Sequence, residues 1–205
     1  MKKLFNLILI IFFSFCSVSL AGPLQDKHKM VIGSMSSATP DWAGYPETSG
    51  TPATVTGNWQ DYANTSDREY CTIWTATENG TATHVNVRYD TDVNVGANGC
   101  YLVLYNGTDL IGYKKVTPST SSWSGEVALT EDSSGSLAFS TNDVLRFGIA
   151  FDGAGTDMSI SYDDGLSGDY AEYDNEVVGA SAPATCSWST SGTAHDIAAI
   201  LRYNE

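Results

Sequence analysis

Residues 100–107 constrain the fold of this chain more than any other stretch of its sequence. In an extended backbone, alternate side chains point to opposite faces, and both faces of residues 100–105 (Cys-Tyr-Leu-Val-Leu-Tyr) are apolar. A strand of this kind has to be covered on both sides, as an inner strand of a packed sheet is. Asn106 and Gly107 tolerate positive φ and therefore predict a tight turn. The extended run that resumes at Leu110 completes a predicted β-hairpin, and the shortness of the apolar run disfavours a helix.

Similar short runs, separated by turn residues, continue to the end of the chain. They are residues 69–76, 83–89, 110–116, 123–129, 144–151, 158–162 and 196–203. In residues 197–201 helix propensity competes with this pattern, and we predict a strand because the run ends an all-β series. About eight strands at this spacing are typical of a sandwich or barrel. The sequence predicts an all-β fold, a two-sheet antiparallel β-sandwich of jelly-roll type over residues 67–205.

The first residues have the pattern of a secretory signal peptide. Lys2 and Lys3 precede an apolar run at 7–13, and Ser-Leu-Ala at 19–21 offers a cleavage site. Residues 1–21 are therefore predicted to be removed, which makes the protein extracellular or periplasmic, with no membrane insertion after cleavage. A lipid anchor on Cys16 is disfavoured because the bulky Phe15 precedes it.

Residues 22–66 read as an irregular N-terminal arm. Four of the six prolines lie here, at 23, 40, 46 and 52, among clusters of serine and threonine. The arm also carries Trp42, Tyr45, Trp59 and Tyr62. These are too many aromatic residues for a solvated linker, so parts of the arm are expected to pack on the sandwich.

The charge of the chain limits the partners that it can bind. The formal net charge is −14, and loss of residues 1–21 would take it to −16, because two lysines and no acids are removed. Between Phe147 and Leu201 there are nine Asp or Glu and no Lys or Arg. Nucleic acids and anionic membranes are poor partners for such a surface.

Three cysteines follow the predicted signal peptide. In an oxidising compartment they predict one disulfide and one remaining thiol. Cys100 lies on the predicted inner strand, where a buried thiol behaves as a small apolar side chain. Cys71 and Cys186 are therefore the favoured pair, although the sequence leaves all three pairings open.

The strand rhythm resembles that of a known class of module. It is carried by Trp-Thr-Ala and Gly-Thr-Ala-Thr-x-Val-x-Val within 74–87, Leu-Val-Leu-Tyr-Asn-Gly within 102–112, Ser-Trp-Ser-Gly-Glu-Val-Ala-Leu at 122–129, and Asn-Asp-Val-Leu-Arg-Phe-Gly-Ile-Ala within 140–150. This is similar to the jelly-roll modules appended to secreted bacterial proteins, with the layout of carbohydrate-binding modules. The resemblance implies glycan binding, adhesion or spacing of other domains, and it includes no functional signature.

An acidic segment at 163–176 holds six carboxylates and two glycines. Ca²⁺ prefers six to eight oxygen ligands on a flexible loop, so the predicted metal ligands are Asp163, Asp164, Asp169 and Asp174. The alternative is a solvated acidic loop. Residues 90–94 begin like an EF-hand, but the sixth position is Val and the twelfth Tyr.

Aromatic residues near the predicted loops could stack on sugar rings. They are Trp123, Tyr162, Tyr170 and Tyr173. The alternative for each is packing at the rim of the sandwich.

The evidence for an enzyme is weaker. Glu172, Asp174 and Glu176 would share one face of a strand, as catalytic carboxylates of some β-sandwich glycosidases do. His195 and Asp196 lack a nucleophile elbow. The preferred hypothesis is therefore a secreted, non-catalytic module that binds extracellular glycan, with Ca²⁺ as a candidate cofactor. The alternatives are a structural or adhesive surface protein that self-associates through an edge strand or its arm, and a glycosidase-like enzyme using Glu172 and Glu176.

Overall fold

The structure, a computed structural model, describes residues 41–45, 60–64, 68–153, 158–163, 171–174, 176–190 and 196–205. The predicted signal peptide and most of the predicted arm lie outside these residues. Within them, the chain contains no helix long and apolar enough to cross a membrane.

The described residues form sixteen β-strands. They are β1 (Asp41–Tyr45), β2 (Gln60–Asn64), β3 (Arg68–Thr75), β4 (Gly80–Val87), β5 (Tyr89–Val93), β6 (Cys100–Asn106), β7 (Asp109–Val116), β8 (Val127–Ala128), β9 (Thr130–Glu131), β10 (Ala138–Phe139), β11 (Val144–Phe151), β12 (Met158–Asp163), β13 (Ala171–Asp174), β14 (Ser189–Thr190), β15 (Asp196–Ile197) and β16 (Ala199–Asn204). Two of them, β1 and β2, lie in residues 22–66, where the sequence predicts an irregular arm. Pairing with β16 and β12 gives these segments a strand conformation that their own composition does not favour.

The strands form three antiparallel sheets. One has the order β1-β16-β4-β10, with β8 also beside β4. The second is seven-stranded, with the order β14-β13-β3-β11-β6-β7-β9, and the third is β15-β12-β2, with β5 also beside β12. The predicted all-β antiparallel class is confirmed. The strand predicted at the end of the chain is also present, as β15 and β16.

Strand β6 is buried on both faces, as the sequence predicts. Cys100, Leu102 and Leu104 belong to a large apolar cluster, here called the inner core, to which all three sheets contribute. Tyr101, Val103 and Tyr105 belong to a smaller apolar cluster on the opposite face, here called the outer cluster. Burying side chains of this size contributes about 1.5–3 kcal/mol each. The hairpin from β6 to β7 is also confirmed.

Residues 176–188, here called the covering segment, lie over the outer face of the seven-stranded sheet, and residues 189–190 then join its edge as β14. Val178, Ala182 and Cys186 are its buried members of the outer cluster. The hydroxyl of Tyr105 donates to the carbonyl of Pro183 at 3.1 Å. The segment is further held by backbone bonds from Leu110 N to Ala184 O and from Cys186 N to Thr108 O, at 2.9 and 3.0 Å, and by the Trp188 Nε1–H, which donates to Gly107 O at 3.1 Å. This layer explains why the second face of β6 is apolar.

No disulfide joins Cys71, Cys100 and Cys186 in this structure, so the predicted Cys71–Cys186 bond is not formed in it. All three side chains are buried. Cys100 belongs to the inner core, as predicted, and burial raises the pKa of its thiol. Cys71 and Cys186 both belong to the outer cluster.

Candidate functional site

The structure describes the side chains of two of the four predicted sugar-stacking residues. Trp123 is half-buried and forms an isolated β-bridge with Arg88. Tyr162 is half-buried and packs against the inner core. Tyr170 lies outside the described residues, and only the backbone position of Tyr173, on β13, is described.

The predicted Ca²⁺ ligands are described only in part. Asp164 and Asp169 lie outside the described residues, and Asp163 and Asp174 end β12 and β13, which belong to different sheets. The register places Asp163 directly opposite Asp196 on β15.

The acidic residues of the predicted glycosidase motif do not continue along one strand. Strand β13 ends at Asp174, and Glu176 is exposed beyond it. Glu172 pairs with Cys71 and Asp174 with Glu69, and both partners on β3 are fully buried. The side chains of Glu172 and Asp174 are outside what the structure describes, so the glycosidase hypothesis stays a prediction.

Asp90, the first residue of the EF-hand-like stretch, is part of a buried polar network. Its Oδ2 accepts a hydrogen bond from the Ser161 hydroxyl at 3.1 Å and lies 4.0 Å from the Arg88 guanidinium. Arg88 in turn donates to the Ser161 hydroxyl. These bonds join β5 to β12, so Asp90 has a structural role here.

A group of side chains that the sequence analysis did not single out meets on the outer face of the first sheet. Trp42 on β1 lies opposite Arg202 on β16, which lies opposite His84 on β4. Leu201 and Val85, one position along the same strands, belong to the inner core, so the three side chains share the opposite face. The guanidinium carbon of Arg202 lies 5.7 Å from the centre of the Trp42 ring, which is cation–π distance.

A loop before β8 adds an acid to this face. Glu126 accepts a hydrogen bond from the Arg202 guanidinium, and each of these two side chains keeps 30% of its surface exposed. We call Trp42, Arg202, His84 and Glu126 the Trp42 cluster. The same loop carries Trp123, one of the predicted ligand residues.

The loop is fixed in place by bonds to β4. The Ser124 hydroxyl donates to Asn86 Oδ1 at 3.1 Å, and the Val87 N–H donates to the Ser124 oxygen at 3.1 Å. The Ser124 N–H returns to the Val87 carbonyl at 2.8 Å. These bonds hold the loop, and with it Glu126, against β4.

Charges are balanced within the Trp42 cluster. Arg202 and Glu126 neutralise each other, and the pKa of His84 is lowered, mainly by burial and then by the nearby Arg202 charge. Two buried atoms of the cluster, His84 Nδ1 and Arg202 Nε, have no hydrogen-bond partner in the part of the chain that the structure describes. Buried polar atoms are usually hydrogen-bonded, so a water or ligand hydroxyl is the expected partner.

A second polar group consists of three acidic side chains. Carboxylate oxygens of Asp41, Glu78 and Glu205 lie within 4.8 Å of one another. The Tyr203 hydroxyl donates to Glu78 Oε1 at 2.7 Å, and the charges of Glu78 and Asp41 raise the pKa of Glu205. Acids meet in this way on protein surfaces without an ion, so the group by itself identifies no metal site.

Comparison with known proteins adds no family to this description. No protein-family model matches the chain, and no curated protein matches it.

Proposed function

We propose that the protein is an exported, non-catalytic β-sandwich module of jelly-roll type that binds extracellular glycan. The supporting observation is the Trp42 cluster, an aromatic ring beside a charge-balanced Arg–Glu pair and a histidine on a rigid sheet face. Sugar rings stack on aromatic faces through their C–H groups, while charged and imidazole groups bond their hydroxyls. Arg202 and Glu126, each with 30% of its side-chain surface exposed, would form such bonds.

The sandwich proposal has its own support. The inner core lies against one face of the seven-stranded sheet and receives side chains from both other sheets. Those two sheets are connected where Arg88 N donates to Ala198 O at 2.9 Å and Ala198 N to Ser161 O at 3.0 Å. They would therefore act as a single second layer, as in a jelly roll.

The charge of the cluster favours a neutral glycan. Arg202 is already neutralised by Glu126, and the lowered pKa of His84 keeps its imidazole uncharged at neutral pH. The chain as a whole carries −14 and would repel sulfated or uronate-rich polymers. Neutral oligosaccharides should therefore bind with little dependence on salt.

A binding panel tests the proposal. Immobilised neutral and acidic oligosaccharides are screened with the purified chain, and hits are titrated calorimetrically. Trp42→Ala should abolish binding and Arg202→Ala should weaken it at least tenfold. Arg146→Ala is the matched control, because it breaks a similar arginine–tryptophan contact at a different place. The Arg146 guanidinium lies 5.6 Å from the ring of Trp188, in the covering segment over the seven-stranded sheet. Equal binding by Trp42→Ala and wild type would refute the site.

We also propose that Ca²⁺ binds in the acidic segment around Asp163. The support is the direct register of Asp163 with Asp196, whose mutual repulsion a cation would relieve. Ligand binding to the folded state raises the melting temperature by mass action. Excess Ca²⁺ should raise it relative to EDTA in the wild type and not in Asp163→Asn, with the exposed Asp109→Asn as control. If the melting temperature of the wild type does not change, the acidic segment is a solvated surface without a Ca²⁺ site.

The same preparations distinguish the two remaining hypotheses. Sedimentation velocity would show concentration-dependent assembly if the edge strand β1 or the arm pairs with a second copy. Hydrolysis of a bound oligosaccharide that Glu172→Gln removes would instead indicate the glycosidase-like enzyme.

A further inference from the structure

We propose that Asn98 is a site of spontaneous deamidation in the folded protein, and that it reacts ahead of the two other asparagines that precede a glycine. The chain contains three Asn-Gly pairs, at 79–80, 98–99 and 106–107. Such pairs are the most reactive, because glycine has no side chain to hinder attack by its own backbone nitrogen. The sequence does not rank the three pairs, whereas the contacts of their amide groups do.

The reaction consumes only water. The backbone nitrogen of the glycine attacks the side-chain carbonyl carbon of the asparagine, and an N–Cγ bond forms. The Cγ–Nδ2 bond then breaks, and ammonia leaves with the proton of the glycine nitrogen. Water opens the resulting succinimide ring at either carbonyl and gives aspartate or isoaspartate. An asparagine therefore reacts in the folded state only if its side-chain amide and the next backbone nitrogen can approach each other.

The side chain of Asn98 has this freedom. Asn98 is half-buried and lies in the loop between β5 and β6. Its backbone is held, because its N–H donates to Asp152 Oδ2 at 2.8 Å and its carbonyl accepts from the Tyr101 hydroxyl at 3.3 Å. Its side-chain amide makes no hydrogen bond to any residue that the structure describes. The amide can therefore rotate while the backbone stays in place.

The attacking nitrogen at this site is held only within the loop. Gly99 N donates to Gly96 O at 3.1 Å, and neither residue belongs to a strand. The bond is longer than is typical of an N–H to carbonyl bond. It can open without disturbing the pairing of any sheet.

The amide of Asn106 is held at both reacting positions. Its Nδ2, the leaving group, donates to Asp143 Oδ2 at 2.8 Å. The attacking nitrogen, Gly107 N, donates to Val144 O at 2.9 Å. These bonds tie the turn between β6 and β7 to the start of β11. Formation of the succinimide at Asn106 would have to break both of them.

Asn79 is the exposed member of the three, but its side chain is also bonded. Its Oδ1 accepts from Thr141 N at 2.9 Å and from the Thr141 hydroxyl at 3.4 Å. Gly80, which supplies the attacking nitrogen, begins β4 and lies opposite Phe139 on β10. Exposure alone would favour reaction at Asn79, whereas hydrogen bonding favours Asn98. The two rankings therefore differ, and an experiment can decide between them.

Ageing of the purified full chain tests the ranking. The folded protein is incubated at mildly alkaline pH, sampled over weeks, digested and mapped by mass spectrometry, and isoaspartate is identified by methyltransferase labelling. Asn98 should deamidate about tenfold faster than Asn106, because its reaction breaks one hydrogen bond fewer, and a tenfold ratio corresponds to about 1.4 kcal/mol. Asn79 should also react more slowly than Asn98. Faster reaction at Asn79, or equal rates at the three sites in the folded chain, would overturn the proposal.

The same chain unfolded in guanidinium chloride is the control. Without folded contacts the three pairs should react at similar rates, and a ranking that persists there would show that the sequence, not the fold, sets the rates, which also overturns the proposal. Asp143→Ala should accelerate reaction at Asn106 and leave the rate at Asn98 unchanged. Asn98→Ser should remove the first acidic form that ion exchange resolves. If Asp143→Ala does not fold, the folded and unfolded wild-type chains carry the comparison.

Discussion

Replacement of Gly148 by alanine should destabilise the protein strongly. Gly148 lies in the middle of β11, between β3 and β6. A Cβ atom built on it would overlap the carbonyl oxygen of Tyr70 and lie 2.9 Å from Cys71 Cα and 3.0 Å from the Tyr70 carbonyl carbon. All three are backbone atoms of β3, so no side chain can rotate away. The two strands would have to separate.

The expected loss of unfolding free energy is large because the added Cβ would clash with backbone atoms. Overpacking a core costs about 1–3 kcal/mol, and a clash with backbone belongs at the upper end, so we expect a loss of about 3 kcal/mol. With a urea m-value of about 2 kcal/mol/M, the unfolding midpoint should fall by about 1.5 M. Equilibrium unfolding followed by tryptophan fluorescence measures this shift.

Gly179→Ala is the matched control. A Cβ at Gly179 meets nothing within 4 Å, so its unfolding free energy should stay within about 0.5 kcal/mol of the wild type. If Gly148→Ala unfolds at the same urea concentration as this control, the close approach of β3 and β11 is not rigid. The packing argument would then be refuted.

Two further predictions concern the covering segment and the carboxylate group. Tyr105→Phe removes the hydrogen bond to the Pro183 carbonyl, which should cost about 1–2 kcal/mol and speed proteolysis of residues 176–188. The pKa of Glu205 is raised, chiefly by the charge of Glu78 and also by Asp41, so the stability linked to it is present below the ordinary glutamate pKa and is lost as pH rises through the raised value. Acidification from pH 7 should therefore stabilise the wild type relative to Glu205→Gln in paired melting curves, and parallel curves would contradict it.

The inner strand could be predicted because its constraints are local. The apolar character of both faces of residues 100–105 and the turn residues that follow are adjacent in sequence. The covering segment has no such signal. Its buried members Val178, Ala182 and Cys186 recur every fourth residue, which is a helix-type spacing, whereas Pro183 inside the run disfavours a helix. It is held by backbone bonds and by tyrosine hydroxyls of a distant strand.

The Trp42 cluster could not be predicted from neighbouring residues in the sequence either, but for a different reason. Trp42 lies in a proline-rich stretch, and its partner Arg202 lies near the other end of the chain. Their proximity depends on the pairing of β1 with β16. The aromatic residues of an otherwise irregular segment, Trp42 among them, indicate packing on the sandwich but do not indicate where.

Strand β4 contains one irregularity, directly beside the Trp42 cluster. Strict alternation predicts Thr83 on the same face as Val85, yet the inner core takes Ala82 instead. The pairing skips Thr83 on β4, because Arg202 lies opposite His84 and Tyr203 lies opposite Ala82, and the Thr83 hydroxyl donates to the Arg202 carbonyl at 3.1 Å. A one-residue slip reverses the faces of a strand. The extra residue therefore lets Ala82 face the core opposite Tyr203, while His84, opposite Arg202, stays on the outer face where the cluster forms.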